Sequence, residues 1–330
     1  MKPFGDLTEI GKVRRLRGVV ARVLDGHDLD VVGVRLLAVH TNTLFRADLA
    51  DGTRVVVRVG DLHGNTRENI DVEVAWLADL SQRGFPAPRV IPNRLGEPVS
   101  VVDAPGVDGP RVCVVFEWVP GVAIGERATR SDYEQLGELS ARLHQAGVGF
   151  DPPGPARRWD RVWYYPEELD PVVVWDDGFE HIFDGERRGL IERVIERADP
   201  ILGRLCGSES ARLVHGDLHP WNVHRSRGRL HVLDFEDAMV AAPIQDIAVS
   251  LFYNRDRDDH PDLVAAFRRG YEKQLEWPDE DPTLIPTIMA ARTVMFMNYV
   301  AKEPDEAFFI RATDRLRQFV ARPDVIPLTN

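Results

Sequence analysis

Residues 215–222 read His-Gly-Asp-Leu-His-Pro-Trp-Asn, and twelve residues beyond Asn222 an apolar run, LHVLDF, leads into Asp234-Phe-Glu-Asp237. Two carboxylates and an amide, delivered from neighbouring strand ends, require a scaffold that fixes oxygen donors in a narrow space. That donor set suits phosphoryl transfer. One Asp can orient an acceptor hydroxyl and take its proton, while the amide and the second Asp can hold Mg²⁺ on phosphate oxygens. The same loop admits a second reading. His215, Asp217 and His219 make a His-x-Asp-x-His pattern that could ligate a transition metal in a hydrolase.

Composition narrows the setting. The chain has 330 residues, 44% of them hydrophobic, and a net charge of −12. That is enough to build one large domain or two lobes around a real core. The acidic balance argues against nucleic-acid or anionic-membrane partners, which reward a basic surface. Two distant cysteines, Cys113 and Cys206, argue against a disulfide framework. No apolar run approaches the roughly 18 residues of a membrane span, and the N-terminal stretch lacks an apolar signal core. A soluble, cytoplasmic protein is expected, its oligomeric state unreadable.

Periodicity divides the chain into a β-rich part and a helical part. A helix opens at Asp6-Leu-Thr-Glu9, read as a carboxylate cap, and carries apolar residues from Ile10 to Leu24 at helical spacing. Strands are expected over 31–38, 44–49, 54–59 and 112–116, with Asp51-Gly52 as a hairpin turn. A helix is expected over 66–83. Pro120-Gly121 breaks the chain, and the division into lobes is placed at 117/118: residues 1–117 a small β-rich lobe with one main helix, residues 118–330 a larger, mostly helical lobe. In the second part Ser131-x-x-Glu134 reads as a capping box, Asp246 stands where an N-cap would stand, and four helices follow.

Charge is uneven between these parts. Residues 1–120 hold 15 basic and 16 acidic residues, and the remainder 26 and 37. The acidic part is either a set of solvated helix faces or a surface that attracts a cationic substrate. The aromatic cluster Trp159, Trp163, Tyr164, Tyr165 and Trp175 is either packing or a wall for a cation or sugar face.

The loop, the DFED strand end and Pro243-Ile-Gln-Asp246 together resemble the aminoglycoside phosphotransferase and choline kinase superfamily. The resemblance implies an α+β, protein-kinase-like two-lobed fold and phosphorylation of a small-molecule hydroxyl from ATP or GTP. It implies that Asp217 is the catalytic base, that Asn222 and Asp234 bind magnesium, that His215 braces the loop and that Asp246 ties it to the next helix. The family's nucleotide-clamping strand lysine has no counterpart. The four lysines are Lys2, Lys12, Lys273 and Lys302, none of them on an N-terminal strand. Arg58, within VVVRV, takes that place, and Glu73 shares the apolar face of the following helix, where a carboxylate needs a cationic partner. The loop His40-Thr41-Asn42-Thr43 is placed over the phosphates, and Phe116-Glu117-Trp118 at the adenine edge.

The favoured reading is a magnesium-dependent small-molecule O-kinase acting on a cationic hydroxyl compound, an aminoglycoside first. Homoserine, choline-like and sugar acceptors stay open, as do a stress-response-type protein Ser/Thr kinase and a nucleotide-binding module without transfer activity.

Overall fold

The computed structural model describes residues 2–62 and 64–322. In chain order the elements are α1 (Glu9–Asp25), β1 (Val31–Val39), β2 (Asn42–Leu49), β3 (Arg54–Gly60), α2 (Arg67–Gln82), β4 (Ser100–Val102) and β5 (Arg111–Glu117). Then come β6 (Val122–Ala123), α3 (Arg130–Ala146), β7 (Arg157–Arg158), α4 (Gly185–Cys206) and β8 (Arg212–Val214). The chain continues through β9 (Val223–Ser226), β10 (Arg229–Val232), β11 (Met239–Ala241), α5 (Pro243–Phe252), α6 (His260–Tyr271), α7 (Leu284–Val300) and α8 (Glu306–Val320). No helix among the described residues is long and apolar enough to cross a membrane.

Two compact units share these elements. The first comprises Met1–Val122, Pro152–Pro155 and His224–Glu236. The second comprises Ala123–Asp151, Ala156–Val223 and Asp237–Asn330. The first unit reclaims residues 224–236 for a physical reason. The Val232 amide donates to the Pro86 carbonyl at 2.9 Å, and Phe235 packs edge-on against Trp76 of α2, with ring centroids 5.5 Å apart.

The first unit is built on an antiparallel sheet of order β1-β2-β3-β5-β4. Strand β3 is buried on both faces, so the two-residue alternation of side chains sorts it. Val55, Val57 and Val59 join the α1 residues Val13, Leu16, Val20 and Val23 in one apolar core. Arg58 therefore points to the opposite face, paired in register with Leu44 and Val114. Helix α1 is amphipathic and buries one stripe on the sheet, where the helical spacing of residues 10–24 puts it. Its cap is Thr8, whose Oγ1 accepts from the Gly11 amide at 3.2 Å, not Asp6.

The second unit is mostly helical. One core gathers α4, α5, α7 and α8 with the buried Trp159, Tyr164, Phe183 and Phe309. Trp159 and Tyr164 are thus packing residues, whereas Trp175 is exposed. A small sheet, β7-β11-β8, brings β8 up to the start of the 215–222 loop. Helix α3 begins at Arg130 and not after Ser131. Thr129 and Asp132 make the capping box, the Thr129 amide donating to the Asp132 carboxylate at 2.8 Å and the Asp132 amide to the Thr129 hydroxyl at 3.2 Å. The reciprocal Thr129–Asp132 pair satisfies two of the free amides at the start of the helix.

Candidate active site

In the second unit, strand β8 ends at Val214 and the loop turns at once. Gly216 has φ +80, and a Cβ there would lie 2.3 Å from the Asp237 carbonyl oxygen, so only glycine fits. The Gly216 amide donates to Asp246 Oδ1 at 2.8 Å. Asp246 Oδ2 in turn lies 3.1 Å from His144 Nε2, and His144 Nδ1 lies 2.9 Å from the Tyr271 hydroxyl. His144 and Asp246 are wholly buried. Asp246 is therefore not an N-cap. Pro243 opens α5 three residues earlier, as proline does at the first helical position, and the carboxylate inside the first turn anchors the loop. The loop has two more braces: the Asp217 amide donates to His215 Nδ1 at 3.3 Å, and Ser250 Oγ donates to the Leu218 carbonyl at 2.7 Å.

These braces aim Asp217. Its Oδ2 lies 3.1 Å from His219 Nε2 and accepts from Asn222 Nδ2, also at 3.1 Å. The same Nδ2 donates to the Asp217 carbonyl at 3.0 Å. The Asn222 amide group is thus fixed by its nitrogen, and its oxygen is the end that can meet a cation. Asp217 Oδ1 accepts from the guanidinium of Arg292. Burial would raise the Asp217 carboxyl, but its contacts with His219 and the charge of Arg292 outweigh that and bring it down to about 2. Asp217 is a carboxylate at neutral pH.

Both histidines of the His-x-Asp-x-His pattern are engaged as braces. His215 Nδ1 accepts from Asp217, while His219 uses Nε2 on Asp217 and accepts from the Trp221 amide through Nδ1 at 3.2 Å. Among the described residues no group of three His, Cys, Asp or Glu side chains is arranged to hold a metal ion.

Sequence reasoning missed Arg292. It is the one charged residue of α7, a helix otherwise apolar or neutral, and its side chain is only 7% exposed. Tyr253, Phe252 and Phe296 surround its guanidinium at 5.2–5.8 Å, and the Tyr253 hydroxyl lies 3.1 Å from Nη2. A single cation in the middle of an apolar helix was the available signal. A second pair, Arg157 with Asp237 at 3.0 Å, has the Tyr165 hydroxyl donating to the same Asp237 oxygen at 2.8 Å.

In the first unit, Arg58 and Glu73 are a buried, two-pronged pair. Nη1 donates to Glu73 Oε1 at 2.8 Å, and Nη2 donates to Oε2. Burial alone would lower the Arg58 pKa, but Glu73, with Glu236 and Asp234, raises it, so the guanidinium stays charged. Glu236 also accepts from Asn42 Nδ2. Asp234 sits at φ +62, an unusual left-handed conformation for a non-glycine residue and a form of strain that collects at functional sites.

The other nucleotide-loop residues are placed differently from expectation. Only His40 and Thr41 form the β1–β2 turn, while Asn42 and Thr43 already belong to β2. Phe116 and Glu117 end β5, and Phe116 lies under the Arg58 guanidinium at 5.2 Å. The Glu117 and Trp118 amides donate to the Arg89 and Arg54 carbonyls at 2.8 and 3.2 Å. Those two donors are spent within the unit.

A family model, that of the phosphotransferase enzyme family, matches residues 34–283. A homoserine kinase from Gluconobacter oxydans (strain 621H) is 27% identical over 237 residues, 68% of this chain and 69% of that protein. Among solved structures, the chain is similar to an amicoumacin kinase in complex with AMP-PNP, Ca²⁺ and Ami, with TM-score 0.78, 18% identity and 98% of both chains covered. It is also similar to a microcompartment-associated aminopropanol kinase, with TM-score 0.69, 19% identity, and 92% of this chain and 95% of that one covered. These likenesses establish a protein-kinase-like fold. The matched segment holds Arg58, Glu73, the 215–222 loop and Asp234, and the chain belongs to the phosphotransferase enzyme family as a small-molecule kinase.

Proposed function

We propose that the protein transfers the γ-phosphoryl group of ATP or GTP to a hydroxyl of a small amino alcohol, with Asp217 as the base. The acceptor oxygen forms the new bond to the γ-phosphorus, and the bond from that phosphorus to the bridging oxygen breaks. The nucleoside diphosphate leaves with the electron pair, and the hydroxyl proton passes to Asp217. The observation that carries this reading is the carboxylate of Asp217. It is kept ionised inside the protein by Arg292 and His219, and aligned by Asn222.

Each expected metal ligand is of a type that suits a divalent cation. The Asn222 amide oxygen and the Asp234 carboxylate are hard oxygen ligands of the kind magnesium takes. When bound, magnesium would neutralise phosphate charge. Arg58, oriented by Glu73, binds phosphate oxygens from the first unit, which is proposed as the nucleotide lobe. His215 and Asp246 hold the loop in place. A loose transition state leaves most of the rate gain to such positioning and electrostatics.

The acceptor class draws on relatives named for homoserine and aminopropanol, both amino alcohols. The surplus of acidic over basic residues beyond residue 120 favours a cationic acceptor. One observation favours a zwitterionic acceptor such as a hydroxy amino acid. Arg157 and Arg292 place two nearly buried guanidiniums beside Asp237 and Asp217 and could meet a carboxylate.

A coupled ADP-release screen over amino alcohols, homoserine, choline, aminoglycosides and sugars tests the proposal. Turnover confined to amine-bearing hydroxyl compounds is expected. Turnover with neutral sugars alone, or phosphate appearing on protein Ser/Thr, would overturn the acceptor class.

A further inference from the structure

The second unit carries a cavity of about 130 Å³ lined by α7, α8 and the segment after α5. Three arginines line it, Arg255, Arg315 and Arg322, with Thr293 and Gln318 as neutral polar neighbours and no acidic residue among the described lining. Arg255 is the unusual member. Its guanidinium stacks on Phe252 with 3.5 Å to the ring centroid, and Nη1 donates to the Phe252 carbonyl. Among the described residues no carboxylate lies within ion-pair distance of it. The neighbouring Asp256 is committed to Arg315. Burial, and then the charge of Arg315, push the Arg255 pKa down to about 9.

Arg255 is half-buried, and a guanidinium partly withdrawn from water without a counter-ion is unfavourable. Around this cavity three positive charges face one carboxylate, an imbalance that an incoming anion removes. Guanidinium groups match the oxygens of phosphate in pairs. The space is too small for a nucleotide but accommodates a phosphate group with a short carbon stem.

We propose that Arg255, Arg315 and Arg322 form a binding site for a small oxyanion, a phosphate or phosphate monoester, separate from the residues that surround Asp217. The site is not remote from that base. Phe252, on which Arg255 stacks, also lies against Arg292, at 5.8 Å. The proposal does not rest on the role given to Asp217.

The test is calorimetric titration of the full-length protein with inorganic phosphate, and separately with glycerol 3-phosphate, at low ionic strength. Mg–AMP-PNP is present at saturation to occupy any nucleotide site. One equivalent of anion should bind. Affinity should fall by about tenfold or more in Arg255→Gln and in the exposed Arg322→Gln, the loss of one charge-assisted contact. Asp217→Asn should leave it unchanged. Tighter binding of the monoester would name a phosphorylated metabolite as the ligand, and equal binding would name free phosphate. Absence of binding, wild-type affinity in both arginine variants, or loss of binding in Asp217→Asn would overturn the proposal.

Discussion

Arg292 and Asp217, 75 positions apart, form an ion pair inside the helical unit, with Arg292 donating to the carboxylate oxygen that His219 and Asn222 leave open. The proposed base is thus gripped on both oxygens. Replacing Arg292 by Met removes a charge that opposes the upward push of burial on Asp217. The acid limb of the kcat/KM–pH profile should then move toward neutral pH, by roughly one to two pH units. Arg292→Lys should restore part of the shift, since it keeps the charge but loses the fork. A profile unchanged in Arg292→Met would show that the pair is not what sets the ionisation of Asp217.

The same depression has a consequence for stability. A carboxyl that titrates near 3.8 when unfolded and at about 2 when folded adds stability that is present above pH 4 and lost as pH falls toward 2. The wild type should therefore resist acid unfolding better than Arg292→Met. The difference should be visible in denaturation midpoints taken between pH 5 and pH 3.

Glu73 is 2% exposed and has Arg58 as its partner. Glu73→Ala strands a buried guanidinium and should cost about 3–5 kcal/mol in urea denaturation. Glu73→Gln should fold more stably than Glu73→Ala but weaken nucleotide binding, because Arg58 loses its orientation. Nucleotide affinity equal to wild type in Glu73→Gln would detach the pair from ATP.

Gly216→Ala meets the Asp237 carbonyl at 2.3 Å with the backbone at φ +80. It should destabilise the protein by about 1–3 kcal/mol and lower kcat by displacing Asp217. A melting temperature within a degree of wild type would mean the loop has another way to accommodate the methyl group.

What the sequence could and could not reveal follows from how far apart the partners lie. The 215–222 loop and the strand end at Asp234 are legible because their donors are close in the chain. The Arg58–Glu73 pair is legible because two periodicities, of strand and helix, place both side chains where they need each other. The Arg292–Asp217 pair is not, because its partners come from distant elements and nothing in the local pattern of α7 names Asp217. Asp246 misleads for the opposite reason. A local rule makes it a cap, while Pro243 starts the helix earlier and tertiary contacts with Gly216 and His144 claim the carboxylate. The expected caps at Asp6 and Ser131 are displaced as well, the N-cap positions being held by Thr8 and Thr129.

The central claim is that Asp217 is the base. It is tested most directly by measuring kcat with an accepted amino alcohol, together with Mg–ATP affinity, in Asp217→Asn. The substitution keeps the shape and removes the proton acceptor. A fall in kcat of about 10²–10⁴-fold with Mg–ATP affinity retained is the predicted result. Turnover within a few-fold of wild type would contradict it.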